Sequence, residues 1–151
     1  MRMVLQRVKN VSLKADGEPF DAMQDGILAL VGIQPSDGDP KVMQYMLDKV
    51  QHMRIFEDEA GKMNLSLVDK GYSLFLVSNF TLYGDCRHGR RPGYSAGAGV
   101  AEASAIYEVF VAYEKENSLV PIHTGVFQAD MQIETVLDGP VTLLLDSDKV
   151  F

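Results

Sequence analysis

The run ILALVGI, residues 27–33, carries no polar side chain between Gly26 and Gln34. A strand with one wet face alternates apolar with polar residues, so a short run that is apolar throughout reads as a strand buried in the interior. QPSDGDP follows it and supplies the turn. Whatever this chain folds into must therefore cover a sheet with further layers.

The neighbouring segments supply them. VLQRV (4–8) and VSLKA (11–15) read as two strands, with Asp16-Gly17 a turn. Asp39 before Pro40 is an N-cap and first-turn pair that opens a helix. Val42, Tyr45, Met46, Val50 and Met53 then fall at helical spacing, with Lys49 the polar break. RIFEDEAGKMN (54–64) reads as a strand end and a turn around Gly61. SLFLVSNF (73–80) is a strand whose apolar run ends in polar residues. Residues 82–99 hold five glycines and one proline, a long irregular loop of the kind that is functional or disordered. Ala103, Ile106, Tyr107, Phe110, Val111 and Glu114 mark a second helix. Strands near 130–136 and 141–146, joined through Asp138-Gly139, close the chain. The expected fold is α/β: mixed, layered β-sheets with two main helices, in a single domain over residues 1–151.

Composition narrows the function. A 46% hydrophobic and 23% charged chain is an ordinary globular one, and no stretch approaches the roughly 20 apolar residues of a membrane span. MRMVLQRVKN lacks the apolar core of a secretory leader, and the one cysteine, Cys86, has no internal disulfide partner. A reducing cytoplasm is expected. The net charge of −7 argues against sequence-blind nucleic-acid binding, which rests on phosphate neutralisation. CRHGRR (86–91) is a local exception, with three arginines and a histidine; on charge alone it reads as a solvated loop.

The usual catalytic sets are absent: no GxSxG elbow, no P-loop, no HExxH, no paired CxxC. Cys86 and His88 are two ligands where a zinc site wants three or four, so no metal and no cofactor are expected. His52 falls late in the first helix, where the dipole accounts for it. His123 sits beside Pro121 in a connection. Ser78 and Thr81 stand where an apolar strand gives way to a loop, a place where side chains and amides can face a ligand. A threonine hydroxyl is a poor nucleophile without an adjacent base, and none is visible at a telling spacing.

LDGPVTLLLD (137–146) poses the sharpest local question. Proline contributes no N–H to a ladder, yet Pro140 heads a β-rich run. Turn chemistry alone favours a trans hairpin with Asp138-Gly139 at its turn. A cis bond would redirect the chain, so that the carbonyls of residues 139 and 140 point the same way as a side-chain-free acceptor pair.

Taken in order along the chain, several motifs together resemble the D-aminoacyl-tRNA deacylases. QRV (6–8), RIFEDEAGKMNLS (54–66), SNFTL (78–82), RPGYSAGA (91–98), TGVFQADMQI (124–133) and DGPVT (138–142) match that family nearly end to end. The resemblance implies a cytoplasmic homodimer that hydrolyses the ester joining a D-amino acid, or glycine, to the 3′ end of tRNA. It implies that Gly139 and Pro140, in cis, complete the partner's active site and exclude L side chains by backbone alone. Ser78, Asn79, Phe80 and Thr81 take the catalytic positions, with strand-end amides near Phe80 and Thr81 holding the oxyanion and the terminal adenosine's 2′-hydroxyl assisting water. Leu82, Phe127 and Met131 fall at substrate-binding positions, the last two at the adenine end, and Arg7 braces the Gly-Pro loop. Arg87, Arg90 and Arg91 become contacts for acceptor-stem phosphates. Asn79, Gln128 and Leu137 depart from the family pattern of glutamine, a small residue and asparagine, which bears on substrate range and rate. The rival reading is a catalytically silent relative that binds an aminoacylated or nucleotide end without cleaving it.

Overall fold

The computed structural model describes residues 1–150. Its organising element is β1, Arg2–Ala15, a single 14-residue strand where the sequence reading expects two. Asn10, between the two predicted pieces, does not end the strand, because its pairing with Val136 of the C-terminal strand carries the backbone through the gap between Val8 and Val11 on the opposite edge. On one edge, Val11–Ala15 pair with β2 (Glu18–Met23) across the Asp16-Gly17 turn, and Arg2–Val8 pair with β3 (Gly26–Gly32). Asp16 and Gly17 both have positive φ, 51° and 86°, as a tight hairpin turn requires. The other edge of β1 pairs along most of its length with β8, Met131–Asp146.

β3 continues the sheet in parallel with β6 (Ser73–Ser78), and β6 pairs in parallel with β7 (Ile122–Thr124). The sheet then curls towards β2, and side chains close the seam. Asp21 on β2 accepts hydrogen bonds from the Thr124 N–H at 3.2 Å and pairs with His123 Nδ1 at 2.9 Å. Burial pushes the Asp21 carboxyl up, but His123 and the Ala22 and Thr124 amides together hold it below the ordinary value. The His123 ring stacks on Phe75, 5.8 Å between centroids.

Both faces of β3 and β6 are covered, which is why their sequences run apolar. Ile27, Ala29, Val31, Leu74 and Leu76 face the helices, packing with Met43, Met46 and Phe110. Leu28, Phe75 and Val77 face the inside of the curl with Val8, Val11 and Leu13. The helical layer comprises α1 (Pro40–His52), a one-turn α2 (Leu67–Lys70) and α3 (Val100–Asn117). α1 begins as expected, with Asp39 accepting from the Lys41 N–H at 2.9 Å. Its buried face is rotated from the predicted one: Met43, Met46, Leu47, Val50 and Gln51 are buried, whereas Lys49 lies outside. A two-stranded hairpin, β4 (Phe56–Glu57) and β5 (Met63–Leu65), turns at Gly61.

The tail differs most from its local signals. Asp138-Gly139 is no hairpin turn; 131–146 is one strand antiparallel to β1. Thr142 pairs with Gln6 and Leu137 with Val8, so residues 138–141 stand opposite Arg7 alone as a bulge. The Gly139–Pro140 peptide bond inside the bulge is cis. Long-range pairing with β1 overrides the turn propensity of Asp-Gly here.

Candidate active site

A cleft of about 450 Å³ opens where β6 ends. Ser78, Asn79 and Phe80 form one side, Val100 and Ala103 of α3 another, and Phe127, Gln128 and Met131 a third. The strand ends here because the Asn79 N–H, bonded to the Val31 carbonyl at 2.7 Å, is its last tie to β3. Asn79 then caps a 3₁₀ turn, Phe80–Tyr83: its Oδ1 accepts from the Thr81 N–H at 3.2 Å and from the Thr81 hydroxyl at 2.5 Å.

That cap has chemical consequences. The Thr81 hydroxyl donates to an amide oxygen, which is no base at neutral pH, so nothing here activates it as a nucleophile. The Thr81 amide is already engaged, whereas the Phe80 N–H donates no hydrogen bond among the described residues. Of the two strand-end amides singled out from sequence, the Phe80 amide is the one available to a ligand. Phe80 itself is two-thirds exposed, its ring beside Tyr94 at 5.1 Å. Leu82 turns away from the cleft. Its carbonyl accepts from Arg2 Nη1 at 3.3 Å, and Arg2 also pairs with Asp146 at 2.8 Å.

Beyond this turn, the long glycine-rich loop is held at its base by reciprocal backbone bonds between Asp85 and Gly93, at 2.7 and 2.9 Å. Arg87 is neutralised by Asp85 through Nε at 2.9 Å and Nη2 at 2.7 Å, and hydrogen bonds from its side chain hold the Asp85 carboxyl far below its usual value. Arg90 and Arg91 are exposed, with no ion pair among the described residues. Cys86 is exposed, and no group of three or more metal-ligating side chains occurs among those residues.

The other predicted binding residues lie elsewhere on the chain. Gly139 and Pro140 sit eight or nine residues along β8 from Met131, on the order of 25 Å at extended-strand rise. Arg7, almost fully buried, links that bulge to the body. Its Nε reaches the Asp138 carbonyl at 3.2 Å and the Asp138 carboxylate at 3.0 Å, while Nη1 donates to the Ile55 carbonyl at 2.7 Å. The structure thus gathers Ser78, Asn79, Phe80, Phe127 and Met131 in one cleft and Arg7, Gly139 and Pro140 in a separate group. Sequence reading missed Val100, Ala103 and Ile55; small or aliphatic residues and a backbone carbonyl carry no motif signal.

Fold and cleft define a small mixed-sheet protein with a cleft at a strand end, lined by a backbone amide, polar side chains and an aromatic wall. The model of the D-Tyr-tRNA(Tyr) deacylase family matches residues 4–146. A D-aminoacyl-tRNA deacylase from Desulfotalea psychrophila is 46% identical, and one from Thermosipho africanus 49% identical, each over the full length of both chains. Among solved structures, the c-Myc DNA Unwinding Element Binding Protein superposes with a TM-score of 0.89 at 34% identity, covering 97% of this chain and 98% of that one. A probable eukaryotic D-amino acid tRNA deacylase gives 0.80 at 14% identity, over 95% and 97%, and shares the fold. The chain belongs to the D-Tyr-tRNA(Tyr) deacylase family.

Proposed function

We propose that this protein hydrolyses the ester between a D-amino acid, or glycine, and the 3′-terminal adenosine of tRNA, as a cytoplasmic homodimer. In this reading the adenosine occupies the cleft against Phe127 and Met131, with the ester at the Ser78–Phe80 end. The Phe80 amide stabilises the developing oxyanion, a kind of contact whose loss costs about 10²–10³ in rate. Water attacks with help from the adenosine's 2′-hydroxyl, and Thr81 serves through its bond to Asn79. Arg90 and Arg91 meet acceptor-stem phosphates, with Arg87 contributing less because Asp85 already holds it.

The observation that carries the reading is the separation of the two groups. Gly139 and Pro140 protrude on a bulge pinned by Arg7, too far along β8 to serve the cleft of their own chain. A second copy can bring them to it. β8 supports that pairing, since no strand adds to its outer edge among the described residues and Val136, Leu137 and Leu144 are exposed. Carbonyls of the Gly-Pro pair would then meet the substrate's amino group and Cα–H, leaving no space for an L side chain.

The test is hydrolysis of matched D- and L-aminoacyl-tRNA by purified protein, with sedimentation of the same sample. A dimer that cleaves the D ester and spares the L ester is expected. Equal rates, or a stable monomer, would defeat the proposal. Tight binding of D-aminoacyl-tRNA without turnover would select the silent-relative reading, which engagement of the Thr81 amide by Asn79 favours.

A further inference from the structure

A second cleft, of about 540 Å³, adjoins the first and shares Phe127 and Gln128 with it. It runs between α3 and the segment 124–128, floored by Val111 and Val126 and edged by Ser104, Glu108 and Lys115. Each cleft falls within the size range of small-ligand sites. Phe127 is the wall between them, steadied by the buried Tyr107 ring at 5.6 Å, whose hydroxyl donates to the Leu76 carbonyl at 3.2 Å. Gln128 occupies the junction with φ +63°, a left-handed backbone that a glutamine adopts at a cost. Strained backbone of this kind gathers at ligand clamps.

We infer that the second cleft takes the penultimate nucleotide of the RNA strand whose terminal adenosine fills the first. The inference rests on the proposed function for the identity of the ligand. Continuity through a shared aromatic wall supplies a stacking surface at the step between two bases, the mode by which single-stranded RNA is held. Ser104, Glu108 and Gln128 offer donors and acceptors to a base edge. Lys115 provides a cation for the phosphodiester. Apolar floor and polar rim suit a nucleoside better than a folded protein segment, which would need a longer groove.

Binding of two probes to the wild-type protein, adenosine 5′-monophosphate and the dinucleotide cytidylyl-(3′→5′)-adenosine, tests this by calorimetry. Both carry a phosphate on the adenosine 5′ oxygen, and the monophosphate bears about one more negative charge near neutral pH. Tighter binding of the dinucleotide, despite its weaker attraction to Lys115, therefore reports the second nucleoside. The dinucleotide should bind about tenfold more tightly, the scale of one stacked base. Ala112→Trp, on the exposed side of α3 where it lines the cleft, should bring the ratio to about one. Lys62→Ala, an exposed position in the turn between β4 and β5, should leave the ratio as it is. Equal affinities in the wild type, no binding of either probe, or a ratio that survives Ala112→Trp overturns the inference. A protein that shows the ratio yet fails to hydrolyse D-aminoacyl-tRNA loses the proposed activity and keeps the subsite.

Discussion

Asn79 decides how the residues around it can act. Its side-chain oxygen receives both the amide and the hydroxyl of Thr81, so the threonine is a member of a cap rather than a poised nucleophile. Thr81→Ala removes the hydroxyl bond and leaves the amide bond in place. Its kcat on D-aminoacyl-tRNA should stay within about tenfold of wild type. Loss of an obligate nucleophile would instead cost on the order of 10⁶. Single-turnover rates, with circular dichroism to confirm the fold, separate these outcomes. The motif position of Asn79 could be read from sequence. What it bonds could not, because the strand-to-3₁₀ turn that aims its side chain depends on Val31 and Gly32 behind it.

At the scale of elements, β8 is defined by its bulge. Gly139 has φ +119°, a backbone that side chains rarely adopt, and a Cβ there would lie 3.0 Å from Val141 Cγ2 and 3.3 Å from Arg7 Nη2. Gly139→Ala should strain the bulge by about 1–3 kcal/mol and shift its carbonyls. D-substrate turnover should fall tenfold or more, or rejection of the L ester should loosen. Matched D and L hydrolysis rates check this, and an unchanged pair would count against the backbone gate. The same element explains where sequence reading failed. Asp138-Gly139-Pro140 has the local chemistry of a turn, and only the register with β1, set over 130 residues away, makes it an interruption in one strand. The apolar runs of β3 and β6 were legible because burial on both faces writes itself into every position. The α1 stripe was legible in period and misplaced in phase, since Val42 and Met43 are equally apolar and packing against the sheet chose Met43.

For the molecule as a whole, α3 carries a stability cost tied to pH. Glu114 follows the helix's apolar period onto its buried face, where it is 1% exposed and its Oε1 has no hydrogen-bond partner among the described residues. Burial alone pushes its carboxyl from the ordinary 4.5 to about 8. The folded protein therefore keeps a proton that the unfolded chain releases above about pH 4.5. Stability held in full below that value is lost as pH rises towards 8, and above 8 both states are ionised and the loss stops growing. Glu114→Gln keeps the shape and removes the titration. The variant should match wild type near pH 4 and exceed it by about 2–4 kcal/mol near pH 8.5. Urea unfolding of both proteins at the two pH values measures the difference, in which the other carboxylates cancel. A gap that stays constant with pH would mean that Glu114 finds a proton-independent partner, and α3 would then owe its position to something other than the neutral acid.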